Sequence, residues 1–339
     1  MALNLARVTP DEALAVAAQA GIHRIAVPTP FAVGRVNVYL VEDEPLTLID
    51  AGPNSGTSFD VLQRGVAELG YSLEDIGLIV VTHQHIDHVG LVSLVAARSG
   101  ADVAAIAAAV PFIENFSEES RMDDEFAHDL MLRHGISADV ATALRAVSGA
   151  FRAWGAAARV TTPLRDGDAV ELRDRTLQAL HRPGHSPSDT IFHDRERRML
   201  IAGDHLLAHV SSNPLLARPR GGADSRPRTL IQYLDSLSKT RGMDVDVVLT
   251  GHGEPIVDHR VLIDQRFSLH RRRAEKIHAI VAEAPRSAYA IAQALWGNIA
   301  VTQAYLTLSE VLGHLDLLEA DGRVREIDAE GGTVVFEAV

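Results

Sequence analysis

Cysteine is absent from the 339 residues, so no disulfide can brace the fold, and any metal must be held by nitrogen and oxygen ligands. Basic residues are scarce beside acidic ones: 32 Lys and Arg face 45 Asp and Glu, a formal net charge of −13 with histidine neutral. That sign argues against nucleic acid as a partner, because phosphates attract basic surfaces. Long apolar runs are missing too. The longest, "VAAIAAAVPF" at 103–112, is interrupted at Pro111 and is far shorter than the roughly 20 residues a membrane-spanning helix needs. The start, "MALNLARVTPDEALAVAAQAG", has neither the basic opening nor the unbroken apolar core of a secretory signal. A soluble, cytoplasmic protein with no membrane partner is therefore expected. The chain is 47% hydrophobic and 23% charged, enough for one large α/β domain with an appendage or for two domains.

Short runs rich in Val, Ile and Leu read as strands at "HRIAVPT", "VNVYLVE", "LTLID", "IGLIVVT" and "ADVAAIAA". Helices are expected near 57–70 and from Asp87 to a stop at Gly100, giving strand–helix–strand units and a layered α/β fold. From 111 to 155 the pattern turns helical, and its segment 114–129 carries seven acids that would line a pocket mouth and repel a polyanion. Strand signals return at "AVEL", "TLQALHR", "TIFHD", "RMLIAGD" and "DVVLTG", with a Pro/Gly/Arg-rich loop at 213–228 and a helix at 228–240.

The stretch "VTHQHIDHVG" places His83, His85, Asp87 and His88 within six residues at the end of one strand. On extended backbone, His83 and His85 leave the same face. Asp87 and His88 fall on the turn into a helix, where the chain can aim back at the same point. Such crowding of ligand-competent side chains points to a metal site rather than a polar loop. Further ligands are expected at other strand ends that follow a glycine: His185 in "PGHS", Asp204 in "AGDH" and His252 in "TGHGEP".

This set, "HxHxDH" at 83–88 with His185, Asp204, His252 and the upstream "LIDAGP" around Asp50, resembles the metallo-β-lactamase superfamily over roughly residues 20–258. The resemblance implies an αββα sandwich with a binuclear site at one edge. It implies that His83, His85 and His185 bind one divalent ion, that Asp87, His88 and His252 bind a second, and that Asp204 bridges them. Zn²⁺ suits such a nitrogen and oxygen set, with Fe or Mn as alternatives. Water between two ions about 3.5–4 Å apart ionises near neutral pH and serves as nucleophile, with Asp87 orienting it and passing its proton to the leaving group. Asp50 would hold a ligand histidine in its tautomer, or else merely cap the turn before "GPNSG". His181 is a further candidate for supporting a ligand. His205 and His209 could face the pocket but are read as structural or solvated, as are His128 and His134.

Residues 260–339 read as an appended unit of helices followed by a hairpin, "RVREID" and "TVVFEA". This order resembles the winged helix that some branches of the superfamily carry, one of them endoribonucleolytic. The helix at 302–320 carries Glu310, Asp316 and Glu319 without Lys or Arg, unlike a groove reader, and Arg271–Arg273 form the only basic run there. The unit is instead expected to pack, to form a homodimer or to close over the site. The expectation is a metal-dependent hydrolase of a small substrate: a thioester, lactone, other ester or activated aryl-halide bond. A phosphodiesterase or endoribonuclease is the alternative, and a non-catalytic metal-binding module ranks third.

Overall fold

Period-two alternation of apolar side chains divides two β-sheets between inner and outer cores. The computed structural model describes residues 9–299 and 303–339. The reading of residues 1–8 as a start without a signal therefore lies outside the described residues. The first sheet runs in chain order through β1 (Ile22–Val27), β2 (Val36–Val41), β3 (Thr47–Ile49), β4 (Leu78–Val81), β5 (Asp102–Ile106) and β6 (Thr162–Leu164). The second holds β7 (Ala169–Glu171), β8 (Thr176–His181), β9 (Thr190–Asp194), β10 (Met199–Gly203) and β11 (Val247–Thr250), in the order β11-β10-β9-β8-β7. Parallel pairing of β3 with β4 and of β10 with β11 brings the chain out at like ends of neighbouring strands.

Phe192, Met199, Ile201, Val247 and Leu249 join a core shared with the first sheet. Their neighbours Ile191, Leu200, Ala202 and Val248 face the opposite way, onto Leu230, Tyr233 and Leu237 of helix α8 (Thr229–Arg241). Helices α1 (Pro10–Gln19) and α2 (Gly56–Glu68) bring Ala13, Ala17, Leu62 and Val66 to the first sheet. The arrangement is an αββα sandwich. None of the described helices is long and apolar enough to cross a membrane.

The single helix expected from Asp87 to Gly100 is instead two, α3 (Ile86–Val89) and α4 (Val92–Ser99). The break sits at Gly90, where a Cβ would come within 2.3 Å of the Asn54 nitrogen and 2.4 Å of the Trp154 oxygen. The following amide, Leu91 N–H, donates to the Gly52 carbonyl instead of continuing the helix. The turn bearing the candidate ligands is thereby bonded to the backbone at residues 51–52 and packed closely against Asn54 and Trp154.

Helices α5 (Val110–Glu114), α6 (Phe116–Arg133) and α7 (Ala138–Phe151) form the segment after β5. Beyond β11 come α9 (His259–Glu283), α10 (Ala288–Trp296), α11 (Ala304–Ala320) and the hairpin β12 (Val324–Asp328) with β13 (Val334–Ala338). The expected start of α11 at residue 302 lies outside the described residues. Leu130, Met131 and Ala141 share one apolar cluster with Ile277, Ile291, Leu308 and Leu312, so the 111–155 segment and the C-terminal helices pack on each other. Nor is the acidic run a bare rim. Glu119 is met by Arg218 and Arg220, Asp123 by Arg218, and Asp124 by Arg152. These pairs correct the expectation of a repulsive pocket mouth, because arginines of the 213–228 loop and of the turn after α7 neutralise it.

His134 at the end of α6 is buried and stacks on Phe336 of β13, with ring centroids 6.0 Å apart. Burial, with Arg226 and Arg133 nearby, pushes its pKa down from 6.5 to about 3. An unfolded chain takes up a proton at this ring below pH about 6.5 that the folded chain refuses. Stability from this group is therefore full above that pH and is lost progressively as pH falls towards 3. Denaturant midpoints followed from about pH 7 to pH 4 should fall less steeply in His134→Phe than in the parent protein. Equal slopes would mean that His134 does not contribute.

Candidate metal centre

The ends of β4, β10 and β11, together with the β8–β9 loop, bring the seven expected ligands to one place. His83, His85 and His185 form one group of potential metal-ligating atoms lying within 4.8 Å of one another; His83, His88 and Asp204 form a second, and Asp87, His88 and His252 a third. Asp204 lies between the halves, with Oδ1 3.5 Å from His88 Nε2 and Oδ2 3.4 Å from His252 Nε2 and 3.7 Å from His185 Nε2. Gly251 precedes His252 for a steric reason, since a Cβ there would stand 2.2 Å from Asp204 Oδ1.

Which nitrogen each imidazole offers follows from its outer partner. His88 Nδ1–H donates to Asp50 Oδ2 at 2.7 Å. Thr82 donates its backbone N–H to Asp50 Oδ1 and its hydroxyl to Oδ2, at 2.8 and 2.7 Å. With its hydroxyl proton so used, Thr82 Oγ1 accepts from His83 Nδ1–H at 3.1 Å. His185 Nδ1–H donates to the Asn213 carbonyl at 3.0 Å, and His252 Nδ1–H to the Arg35 carbonyl at 2.8 Å. Four rings thus turn Nε2 inward. His85 is the exception, presenting Nδ1 3.0 Å from Nε2 of both His83 and His185.

These contacts test whether the residues suit a metal. On this assignment, at most one proton is available for three mutually facing nitrogens, so lone pairs oppose one another unless a cation sits among them. On the other side, His88 Nε2, His252 Nε2 and Asp204 Oδ1 are buried without a hydrogen-bond partner. Unpaired buried polar atoms are costly in an apo protein and are what a ligand shell looks like before its ion is counted. The residues fit two cations.

Electrostatics follow the same division. Burial, with the neighbouring imidazoles, pushes His83 well down and His85 to about 3, leaving both rings neutral as ligands require. His252 goes the other way. Burial opposes its charge, but Asp204 and Asp87 raise it to about 9. Asp204, despite burial, is held well below the ordinary carboxylate range by His252 and His88.

Residues 32–252 match the sequence profile of the metallo-beta-lactamase superfamily. A probable metallo-hydrolase of Bacillus subtilis strain 168, YqjP, is 36% identical over 316 residues, covering 93% of this chain and 97% of its own length. The chain belongs to the metallo-β-lactamase superfamily. A solved structure, the metallo-beta-lactamase family protein TTHA1429 of Thermus thermophilus, aligns with 94% of this chain and 99% of its own, at TM-score 0.76 and 27% identity. A short likeness, 44% over 48 residues, links this chain to the acyl-coenzyme A thioesterase MBLAC2 of Bos taurus, covering 14% of this chain and 17% of that protein. Fold and candidate ligand groups together support an enzyme of the metallo-hydrolase type.

Within this metallo-β-lactamase frame, Asp50 touches His88 directly and His83 through Thr82. His181 reaches the backbone of the loop that carries His185, where its Nε2–H donates to the Pro187 carbonyl. His205 is buried against α8, with Nε2 2.9 Å from Thr240 Oγ1, and exposed His209 pairs with Glu254. His128 lies beside Asp129 on α6. Sequence reasoning missed the carbonyls of Arg35 and Asn213, which any residue could supply, and Thr82, which sits next to the motif and could have been noticed. A further group, His270, Glu310 and His314, also meets the spacing for a metal. Its polar atoms have other partners: Ser211 Oγ–H to His270 Nε2, His270 Nδ1–H to His314 Nε2, His314 Nδ1–H to the Glu310 carbonyl, and Arg273 to the Glu310 carboxylate. It is a closed hydrogen-bond chain.

Asp50 supplies the test. In Asp50→Asn the amide cannot accept from Thr82 and His88 together as the carboxylate does. Metal affinity, measured by competition with a chromophoric chelator, should fall about 10- to 100-fold with the fold retained. Unchanged affinity would remove Asp50 from the support of the site.

Proposed function

We propose that the protein is a binuclear hydrolase of carboxylic esters or thioesters. The carrying observation is the convergence of unpaired His88 Nε2, His252 Nε2 and Asp204 Oδ1 beside the three inward-facing nitrogens of His83, His85 and His185, at the wall of an open cavity. His83, His85 and His185 would hold one ion, Asp87, His88 and His252 the other, with Asp204 shared; Zn²⁺ is the proposed metal. When bound, the two ions would supply an ionised water and polarise the scissile carbonyl.

The chain's own residues do the rest. Asp87 lines the cavity, with Oδ2 3.2 Å from His252 Nε2. Burial raises its pKa, but His88 and His252 prevail and keep the carboxyl ionised, ready to accept a proton and return it to the leaving oxygen or sulfur. The likeness to an acyl-coenzyme A thioesterase supports a thioester, although it covers only a short stretch. We also propose that residues 20–258 form the catalytic domain and that 260–339 form a winged-helix-like unit. An anti-parallel bridge between Arg286 and Phe336 beside the hairpin supports that likeness. In this unit α11 is enclosed and its acids are taken up by Arg273, Arg226 and Arg228, which supports packing over nucleic-acid reading.

Metal analysis of the purified protein should approach two equivalents. The loaded protein should hydrolyse a p-nitrophenyl ester far faster than bis-p-nitrophenyl phosphate; the reverse preference would favour the phosphodiesterase reading. Asp87→Asn should keep its fold and lose about 10²- to 10⁴-fold in turnover. Near-normal turnover would exclude Asp87 from proton transfer.

A further inference from the structure

Phenylalanine is uncommon in this chain, with nine in 339 residues. Five of the nine, Phe31, Phe112, Phe116, Phe126 and Phe151, line a single cavity of about 740 Å³. The same cavity is walled by His85, Asp87, His185, Asp204 and His252. Its rim is apolar as well. Val33, Val147, Phe151, Val210 and Leu306 line it, and all five are among the nine large apolar side chains exposed in the described residues. Phe31 from the β1–β2 loop and Phe151 from α7 meet with ring centroids 5.4 Å apart. Of the four arginines in the lining, three are engaged: Arg218 and Arg220 by Glu119, and Arg152 by Asp124. An apolar surface that reaches from the metal ligands to solvent needs an apolar occupant of matching length.

We infer that this cavity binds the unbranched hydrocarbon chain of an acyl ester or thioester, with the carboxyl carbon at the metal ligands and the chain among the phenylalanines. The inference rests on the hydrolase reading above and gives it a substrate class. Water adds to the carboxyl carbon, the carbon–oxygen or carbon–sulfur bond breaks, and the products are the carboxylic acid and the alcohol or thiol, whose hydrogen comes from that water. A compact acyl group would leave the apolar rim in water, whereas a chain covers it. Each methylene buried should raise kcat/KM about fourfold until the cavity is filled.

The test uses the full chain loaded with Zn²⁺ and p-nitrophenyl acetate, butanoate, octanoate, dodecanoate and benzoate, together with calorimetric binding of the free carboxylates. The expected result is a climb in kcat/KM from acetate towards the longer chains and tighter binding of dodecanoate than of butanoate. Val147→Asp and Phe151→Asp place a charge at exposed rim positions where folding should survive. Each should shrink the dodecanoate-to-acetate ratio at least tenfold. Ester hydrolysis with a flat or falling length dependence, or a preference for benzoate over octanoate, would overturn the inference and leave the hydrolase reading standing. Failure to hydrolyse any ester, with dodecanoate still bound more tightly than butanoate, would overturn the hydrolase reading and support the chain-binding cavity.

Discussion

One buried carboxylate organises both halves of the centre. Asp50 is held at φ 59°, a left-handed conformation that costs a non-glycine residue roughly 1–2 kcal/mol. Its bonds to the Thr82 amide, the Thr82 hydroxyl and His88 Nδ1 over-determine that conformation. Through them it sets the tautomer of His88 directly and of His83 one hydroxyl away. A single residue at the end of β3 therefore fixes which lone pairs the ends of β4 and α3 present. The αββα sandwich serves this by laying β3 beside β4 in parallel, so that residue 50 and residues 82–88 emerge together.

The remaining rings depend on more distant parts of the chain. His252 leans on the Arg35 carbonyl before β2, which joins the two sheets at the site. His185 leans on Asn213, whose side-chain amide donates to the Leu306 carbonyl at the start of α11. Tyr305 donates to the Leu216 carbonyl, and Leu215 N–H to the His185 carbonyl. The C-terminal helices thus pack the 213–218 loop against His185, a candidate ligand, and also supply part of the cavity wall. The arginine pairs between this loop and α6, and the apolar cluster shared with α6 and α7, join the same structure from the other side. In this chain, support of the candidate site and C-terminal packing are one set of contacts.

Legibility in the sequence tracked locality. The clustered motif at 83–88 and the Gly-preceded residues 185, 204 and 252 could be read because strand ends, glycines and ligand types lie within a few residues of each other. Asp50 was readable as a candidate, while its choice between turn cap and ligand support depended on a contact 38 residues away. The acceptors from Arg35 and Asn213 are backbone carbonyls and leave no mark on residue type. Helix α1 went unread although Thr9, Pro10 and Glu12 spell a capping box with proline at its first position. Strand β6, only three residues long with Pro163 at its centre, has too little pattern to register. Glu119, Asp123 and Asp124 of the acidic run and the acids of α11 looked like free charge because their arginine partners come from other parts of the chain, most from 218–228, while Glu118 and Glu125 pair with Arg121 inside the run. The break at Gly90 came from close backbone approach, which helical periodicity does not report.

The central claim is that outer acceptors fix inner lone pairs, and imidazole tautomers report it directly. Nitrogen-15 NMR of the Zn²⁺-loaded protein, with ring resonances assigned by single His→Gln variants, distinguishes a protonated from a metal-bound nitrogen at each position. The expected pattern is Nδ1–H with metal-bound Nε2 at His83, His88, His185 and His252, and the opposite at His85. Metal binding through Nδ1 at His83 or His88 would contradict the account, because the hydrogen bonds from His83 to Thr82 and from His88 to Asp50 would then not exist.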